Sequence, residues 1–187
     1  MSGGGAVAGV VLAAGAGTRY GMPKVLAAEG QWLRAAVSAL ADGGCDDVVV
    51  VLGAAIVDVP GPARPIVAQD WESGASASLR AGLASVANAS EVVIHLVDTP
   101  DVTAAVVRRV LAADSDLARA TYGGRPGHPV RIGRRHWPEL AATLRGDEGA
   151  RAFLAGRDDL VPVECGDLAS GIDVDERSRE ERGPAER

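Results

Sequence analysis

Apolar residues along this chain follow two alternating rhythms. Residues 6–13, AVAGVVLA, form a nearly unbroken apolar run, as do residues 48–52, and between them Trp32, Leu33, Ala36, Val37 and Leu40 recur at the spacing of one helix face. Runs without polar alternation predict strands buried on both faces, the mark of a parallel sheet covered by helices. Strand, helix and strand in that order predict a βαβ unit. Residues 54–63 carry Pro and Gly and predict a loop, followed by a short strand near 65–68, a helix over 73–87 and a strand over 91–97, EVVIHLV. In the helix that follows, opening at Thr103 or just before it, Val102, Val106, Val107, Val110 and Leu111 share one face while Arg108 and Arg109 fall on the other.

Beyond Leu117 the segment LARATYGGRPGHPVRIG predicts two strands around a Gly/Pro-rich turn, with His128 held in a rigid turn between Gly127 and Pro129. WPELAATL and GDEGARAFLAG predict two short helices, and residues 160–164 a last strand. Residues 175–187, DERSREERGPAER, are nearly all charged or small and predict a solvated, disordered tail. The expectation is one domain over residues 1–174, a three-layer Rossmann-like α/β fold with a mostly parallel central sheet. Its ligands should bind at the carboxyl ends of the strands.

Composition narrows the function classes. The 187 residues are 47% hydrophobic but include only three Trp, two Tyr and one Phe, so the core is built from Val, Leu, Ile and Ala. A net charge of -6 with no basic block argues against a nucleic-acid partner, whose affinity comes largely from neutralised phosphates. No apolar run approaches the roughly 20 residues that span a bilayer, and MSGGGAVAG lacks a basic signal-peptide region, so no membrane association and a cytoplasmic location are expected. Cys45 and Cys165 have no partner at metal-ligand spacing and predict reduced, partly buried thiols.

The candidate chemistry begins at residues 10–24, VVLAAGAGTRYGMPK, where a strand ends in a loop of small residues that closes on the only lysine of the chain. A strand, a glycine-rich loop and a helix together make a phosphate-binding arrangement, because amide hydrogens can point at an anion. Gly15, Gly17 and Gly21 fit neither G-x-G-x-x-G nor a Walker A loop. What remains is a loop offering two cations, Arg19 and Lys24, to a triphosphate. Asp98, at the end of the strand in VIHLVDTPD, could hold a hard cation through oxygen or cap the next helix, a role Thr99 or Asp101 could also fill. His95 reads as a core histidine with one satisfied nitrogen, Trp71 as a pocket wall or lid anchor, and Asp147 as a helix cap.

These residues carry a resemblance. LAAGAGTRYGMPK resembles the LAAGxxxRxGxxK signature of the MobA-like nucleotidyltransferases, in the variant found in molybdenum cofactor cytidylyltransferases. DWESGASASLRAGL, LVDTPDVT, GRPGHPV and GDEGAR resemble further motifs of that family in the same order, so the likeness runs from about Val7 to Asp173. It implies a nucleotidyltransferase fold, Mg²⁺ as cofactor and transfer of CMP from CTP to molybdopterin with release of pyrophosphate. By the same resemblance Leu12, Ala13, Ala14, Gly15, Gly17, Arg19 and Lys24 bind the nucleotide, and Arg19, Lys24 and Asp98 are the catalytic residues. Gln69 and Ser78 would read the base or ribose, and His128 and Arg151 would meet the acceptor. Asp98 and Asp173 would hold the metal. Where the family often reads DIDTPED this chain reads GIDVDERSR, which leaves Asp175 as a competitor to Asp173. Ala14 and Pro23 stand where guanylyl-transferring relatives carry Gly and Asp, which favours CTP. Guanylyl transfer, sugar-phosphate nucleotidyl transfer and a non-catalytic accessory role remain alternatives, and a molybdoenzyme or chaperone is a conceivable partner.

Overall fold

A computed structural model describes residues 5–175, so the expected tail lies, Asp175 apart, outside the described residues. Seven strands form one sheet: β1 (Val7–Leu12), β2 (Asp47–Leu52), β3 (Arg64–Val67), β4 (Glu91–Leu96), β5 (Leu117–Tyr122), β6 (Arg125–Gly133) and β7 (Val161–Glu164), in the order β3-β2-β1-β4-β6-β5-β7. Only β6 runs against its neighbours. The mostly parallel sheet read from the apolar runs is therefore observed, with element boundaries shifted by one or two residues.

Alternate residues of each inner strand feed opposite layers. Val10, Val49 and Val92 pack with α2 (Ala75–Ser85), α4 (Trp137–Thr143) and α5 (Arg151–Leu154). Val11, Val50 and Val93 pack with α1 (Gln31–Gly43) and, through Val107, α3 (Ala104–Leu111). Val10, Val11, Val49 and Val50 all have 0% exposure, which is why no polar residue interrupts these runs. On the α2 side Gly82 is needed for contact: a Cβ there would lie 2.8 Å from Val10 Cγ1. Cys45 and Cys165 are free, as expected, and more fully buried than expected.

The hairpin differs from the expectation in one respect. Its turn is Gly123-Gly124, both at positive φ (59° and 76°) between the paired Tyr122 and Arg125, which is the geometry of a tight two-residue connection. Pro126, Gly127, His128 and Pro129 therefore lie inside β6, not in the turn.

Glu164, at the end of β7, clamps this turn by accepting from the amides of Gly123 (2.8 Å), Gly124 (3.1 Å) and Gly166 (2.9 Å) and from the Thr121 hydroxyl (2.9 Å). These donors hold its carboxyl at about 2, below the ordinary 4.5. A lowered folded-state value means stability present above pH about 4.5 and lost as pH falls toward about 2. The Glu164→Gln variant is expected to melt lower than wild type at neutral pH and to lose less on acidification through that window. Thermal melts across pH check this, and parallel acid profiles would exclude the clamp from the pH response.

Candidate active site

Strand order reverses at β1. The chain steps outward from β1 to β2 and β3, then returns to the other side of β1 as β4, opening a crevice at the carboxyl ends of β1 and β4. The loop leaving β1 is fixed across this crevice by backbone bonds: Ala13 N–H to Val51 O (3.0 Å), Ala54 N–H to Ala14 O (3.0 Å) and Val97 N–H to Leu12 O (3.3 Å). Gly17 turns the loop at φ +61°, and a Cβ there would sit 1.9 Å from Met22 O. Gly17→Ala therefore combines a left-handed backbone costing about 1–2 kcal/mol with a main-chain clash. It is expected to weaken nucleotide binding by at least about tenfold, since each 1.4 kcal/mol is a factor of ten. Titration calorimetry beside a melting curve tests this, and unchanged affinity would remove the loop from the binding surface.

A cavity of about 500 Å³ fills the crevice. Leu12, Ala13, Ala14, Gly15, Gly17, Arg19, Lys24, Ser78 and Asp98 line it, as do Trp71, Asp147 and Asp175. Gln69, His128, Arg151 and Asp173 are not among its lining residues. Gln69 and Arg151 are exposed, and His128 is half-buried in β6.

The centre of the cavity is an ion cluster. Lys24 Nζ donates to Asp98 Oδ2 at 2.7 Å and to Asp175 Oδ1 at 3.1 Å, and Arg19 Nη1 lies 3.9 Å from Asp175 Oδ2. The Lys24 and Asp98 side chains are 16% and 18% exposed, so this pair is screened far less than a surface one. Burial alone would lower the Lys24 pKa, but the two carboxylates more than offset it and hold the ammonium charged. Asp98 Oδ1 is buried with no hydrogen-bond partner. Asp173 is itself exposed, but partial desolvation and the charges of Asp98 and Asp175 beside it push its carboxyl up. Among the described residues no group of three or more His, Cys, Asp or Glu is arranged as a metal site.

Two expectations are settled by geometry. The helix after β4 takes Thr103 as its N-cap, so Asp98 does not cap it. His95 is fully buried, but neither ring nitrogen has a hydrogen-bond partner, contrary to the one satisfied nitrogen expected. Burial drives its pKa down to about 4, and that of His128 to about 3, where His95 and Arg119 add to the effect. Both imidazoles are neutral at ordinary pH. Glu72 and Gly74 also line the cavity, but nothing in their type marks them as site residues in the sequence; at Gly74 a Cβ would run into the Gly146 carbonyl and the Asp147 carboxylate.

The sequence profile of the MobA-like NTP transferase domain matches residues 9–161. The chain belongs to that family. It is thus an enzyme of the nucleotidyltransferase class. A family relative, Nicotine blue oxidoreductase of Paenarthrobacter nicotinovorans, is 37% identical across 90% of this chain and 92% of its own. Among solved structures, Rv0371c of Mycobacterium tuberculosis H37Rv is 29% identical, with a TM-score of 0.75, covering 92% of this chain and 94% of the other. The same protein in complex with manganese matches at 28% identity and a TM-score of 0.68, covering 90% and 94%. A nucleotidyl transferase from Methanothermobacter, 21% identical with a TM-score of 0.76 over 95% of both chains, shares the fold. No helix among the described residues is long and apolar enough to cross a membrane.

Proposed function

We propose that this chain transfers CMP from CTP to a molybdopterin-type acceptor, with release of pyrophosphate. The observation that carries the reading is the meeting of Lys24, from the glycine-rich loop, with Asp98, from the end of β4, in one cavity. That juxtaposition supplies a cation for the triphosphate and a carboxylate for a divalent ion at the strand edge where this fold binds ligands. A phosphate oxygen of the acceptor attacks the α-phosphorus, the bond to the bridging oxygen breaks, and its electron pair leaves with pyrophosphate. No protein base is needed, because a phosphate monoester has its second pKa near about 6 and is mostly dianionic at neutral pH. Lys24 neutralises charge developing at the α-phosphate, and Arg19 meets the leaving pyrophosphate.

The donor set fits a hard divalent cation. Asp98 has a buried oxygen with unused lone pairs, and Asp173 lies beside it with a carboxyl that partial desolvation and negative neighbours push up, a position a cation would relieve. Asp98 and Asp173 would hold Mg²⁺; the manganese complex of the mycobacterial relative supports a divalent ion of this kind. When bound, such an ion neutralises phosphate oxygens. Gly15, Gly17 and the backbone of residues 12–14 would hold the nucleotide, with Ser78 facing it. Gln69, His128 and Arg151, outside the lining, would serve base or acceptor contacts only once ligands extend beyond the cavity.

The 37% identity to a protein named Nicotine blue oxidoreductase favours a second reading, an oxidoreductase activity at the same pocket. Incubating the protein with each NTP, Mg²⁺ or Mn²⁺ and molybdopterin, with pyrophosphate as readout, separates the two. CTP-dependent pyrophosphate release is expected; its absence, with oxidation of a reduced pyridine nucleotide in a parallel assay, would replace the transfer reading. Ala14→Gly with Pro23→Asp is expected to move the CTP:GTP preference toward GTP, and an unchanged ratio in competition binding would place base selection elsewhere.

A further inference from the structure

We propose that Asp175 is an internal counter-anion seated where a polyphosphate would lie, and that it sets a charge threshold for what the pocket accepts. The inference rests on the nucleotide-site reading above. Asp175 reaches both cations of the glycine-rich loop from a position 151 residues away from Lys24, with Oδ1 3.1 Å from Lys24 Nζ and Oδ2 3.9 Å from Arg19 Nη1. It is delivered by a short strap tied to the segment after β4. The Ser170 amide and hydroxyl both donate to Asp101 Oδ2 at 2.6 Å, and the Val174 amide donates to Asp98 O at 2.9 Å. These ties position Asp175 over the loop. Its own side chain is 52% exposed, against 16% for Lys24, so it can leave without uncovering core.

The chemistry of exchange follows. Without ligand, Lys24 is neutralised by Asp98 and Asp175, and Arg19 also faces Asp175, so the loop does not present two open cations. An incoming anion must replace the Asp175 carboxylate. A small anion carrying one or two charges trades one ion pair for another and gains little, because partly exposed pairs are weak. A polyphosphate spans both cations with several charges and repels the displaced carboxylate. Because the displacement cost is the same for each anion, one that makes few contacts keeps little net affinity while a triphosphate still binds, and in this sense Asp175 sets the charge threshold of the pocket.

Titration calorimetry on the full chain, in EDTA so that no metal contributes, tests this with orthophosphate, pyrophosphate and tripolyphosphate against wild type, Asp175→Asn and Asp114→Asn. Asp114 is exposed and serves as a control for net charge. Asp175→Asn should bind tripolyphosphate about threefold to tenfold more tightly, from the loss of two partly exposed competing pairs. Its gain for orthophosphate should be of similar size, lifting that binding toward the measurable range, and Asp114→Asn should match wild type. If wild type binds tripolyphosphate but Asp175→Asn binds it equally or more weakly, the counter-anion role is overturned while the nucleotide site stands. Equal tightening in Asp114→Asn would also overturn it. If neither wild type nor Asp175→Asn binds tripolyphosphate, the nucleotide-site reading itself fails.

Discussion

Lys24→Ala is expected to lower the rate of pyrophosphate release by about 10²–10³-fold, the scale of losing one preorganised donor aimed at developing charge. Nucleotide affinity should fall much less, by about tenfold or less, because a cation that acts mainly in the transition state contributes little to ground-state binding. Geometry gives the reason for this split: the ammonium is already engaged by Asp98 at 2.7 Å and Asp175 at 3.1 Å, so a bound nucleotide exchanges one anion for another. Removing it also leaves Asp98, 18% exposed, without its nearest cation, so a drop in melting temperature should accompany the kinetic loss. Lys24→Arg should not restore the rate, since a planar guanidinium cannot replace a compact ammonium at a site this closed. Single-turnover kinetics with independent nucleotide titration decide the matter. Equal losses in turnover and binding would make Lys24 a ground-state anchor.

Asp98→Asn is the second large effect. Asparagine keeps the side chain's size and can still accept from Lys24, but it lacks the negative charge that a hard divalent cation requires. The fold should persist, with Mn²⁺ binding measured by electron paramagnetic resonance sharply weakened and Mg²⁺-dependent pyrophosphate release down by about 10²–10³-fold, with partial rescue at high Mg²⁺. Asp173→Asn and Asp175→Asn made alongside should separate: the first weakens Mn²⁺ binding, the second leaves it near wild type. Normal metal-dependent activity in Asp98→Asn would end both the metal site and the mechanism built on it.

Much of the parallel half of the sheet was legible because its residues answer to one requirement. Val10, Val11, Val49 and Val50 must be apolar on both faces, and an unbroken run says so directly. The hairpin turn was misplaced because Pro126, Gly127 and Pro129 look like turn residues, yet the left-handed backbone is needed only at Gly123 and Gly124. In the candidate site, the loop cations could be named because a glycine-rich loop after a strand predicts an anion site, and Asp98 because the family resemblance places a metal ligand at that strand end. The approach of Asp175 to Lys24 depends on where the last described residues cross the sheet edge, and no local pattern encodes that crossing. His95 was misread for a related reason: sequence shows a polar residue in an apolar strand but not whether a partner waits for it.

The reversed direction of β6 has an architectural consequence. Because β6 is antiparallel to β4 and β5, its N-terminal end and the Gly123-Gly124 turn stand at the same edge as Asp98. The hairpin tip therefore stands at the same end of the sheet as the crevice but outside its lining, which is built from the β1 loop, the end of β4 and the residues around 71–78. Hairpin tips accept insertions and exchanges with little cost to the layers beneath. Rewriting residues 125–128 can thus change what stands beside the crevice while residues 12–14, fixed to the ends of β2 and β4 by their own backbone bonds, keep their form.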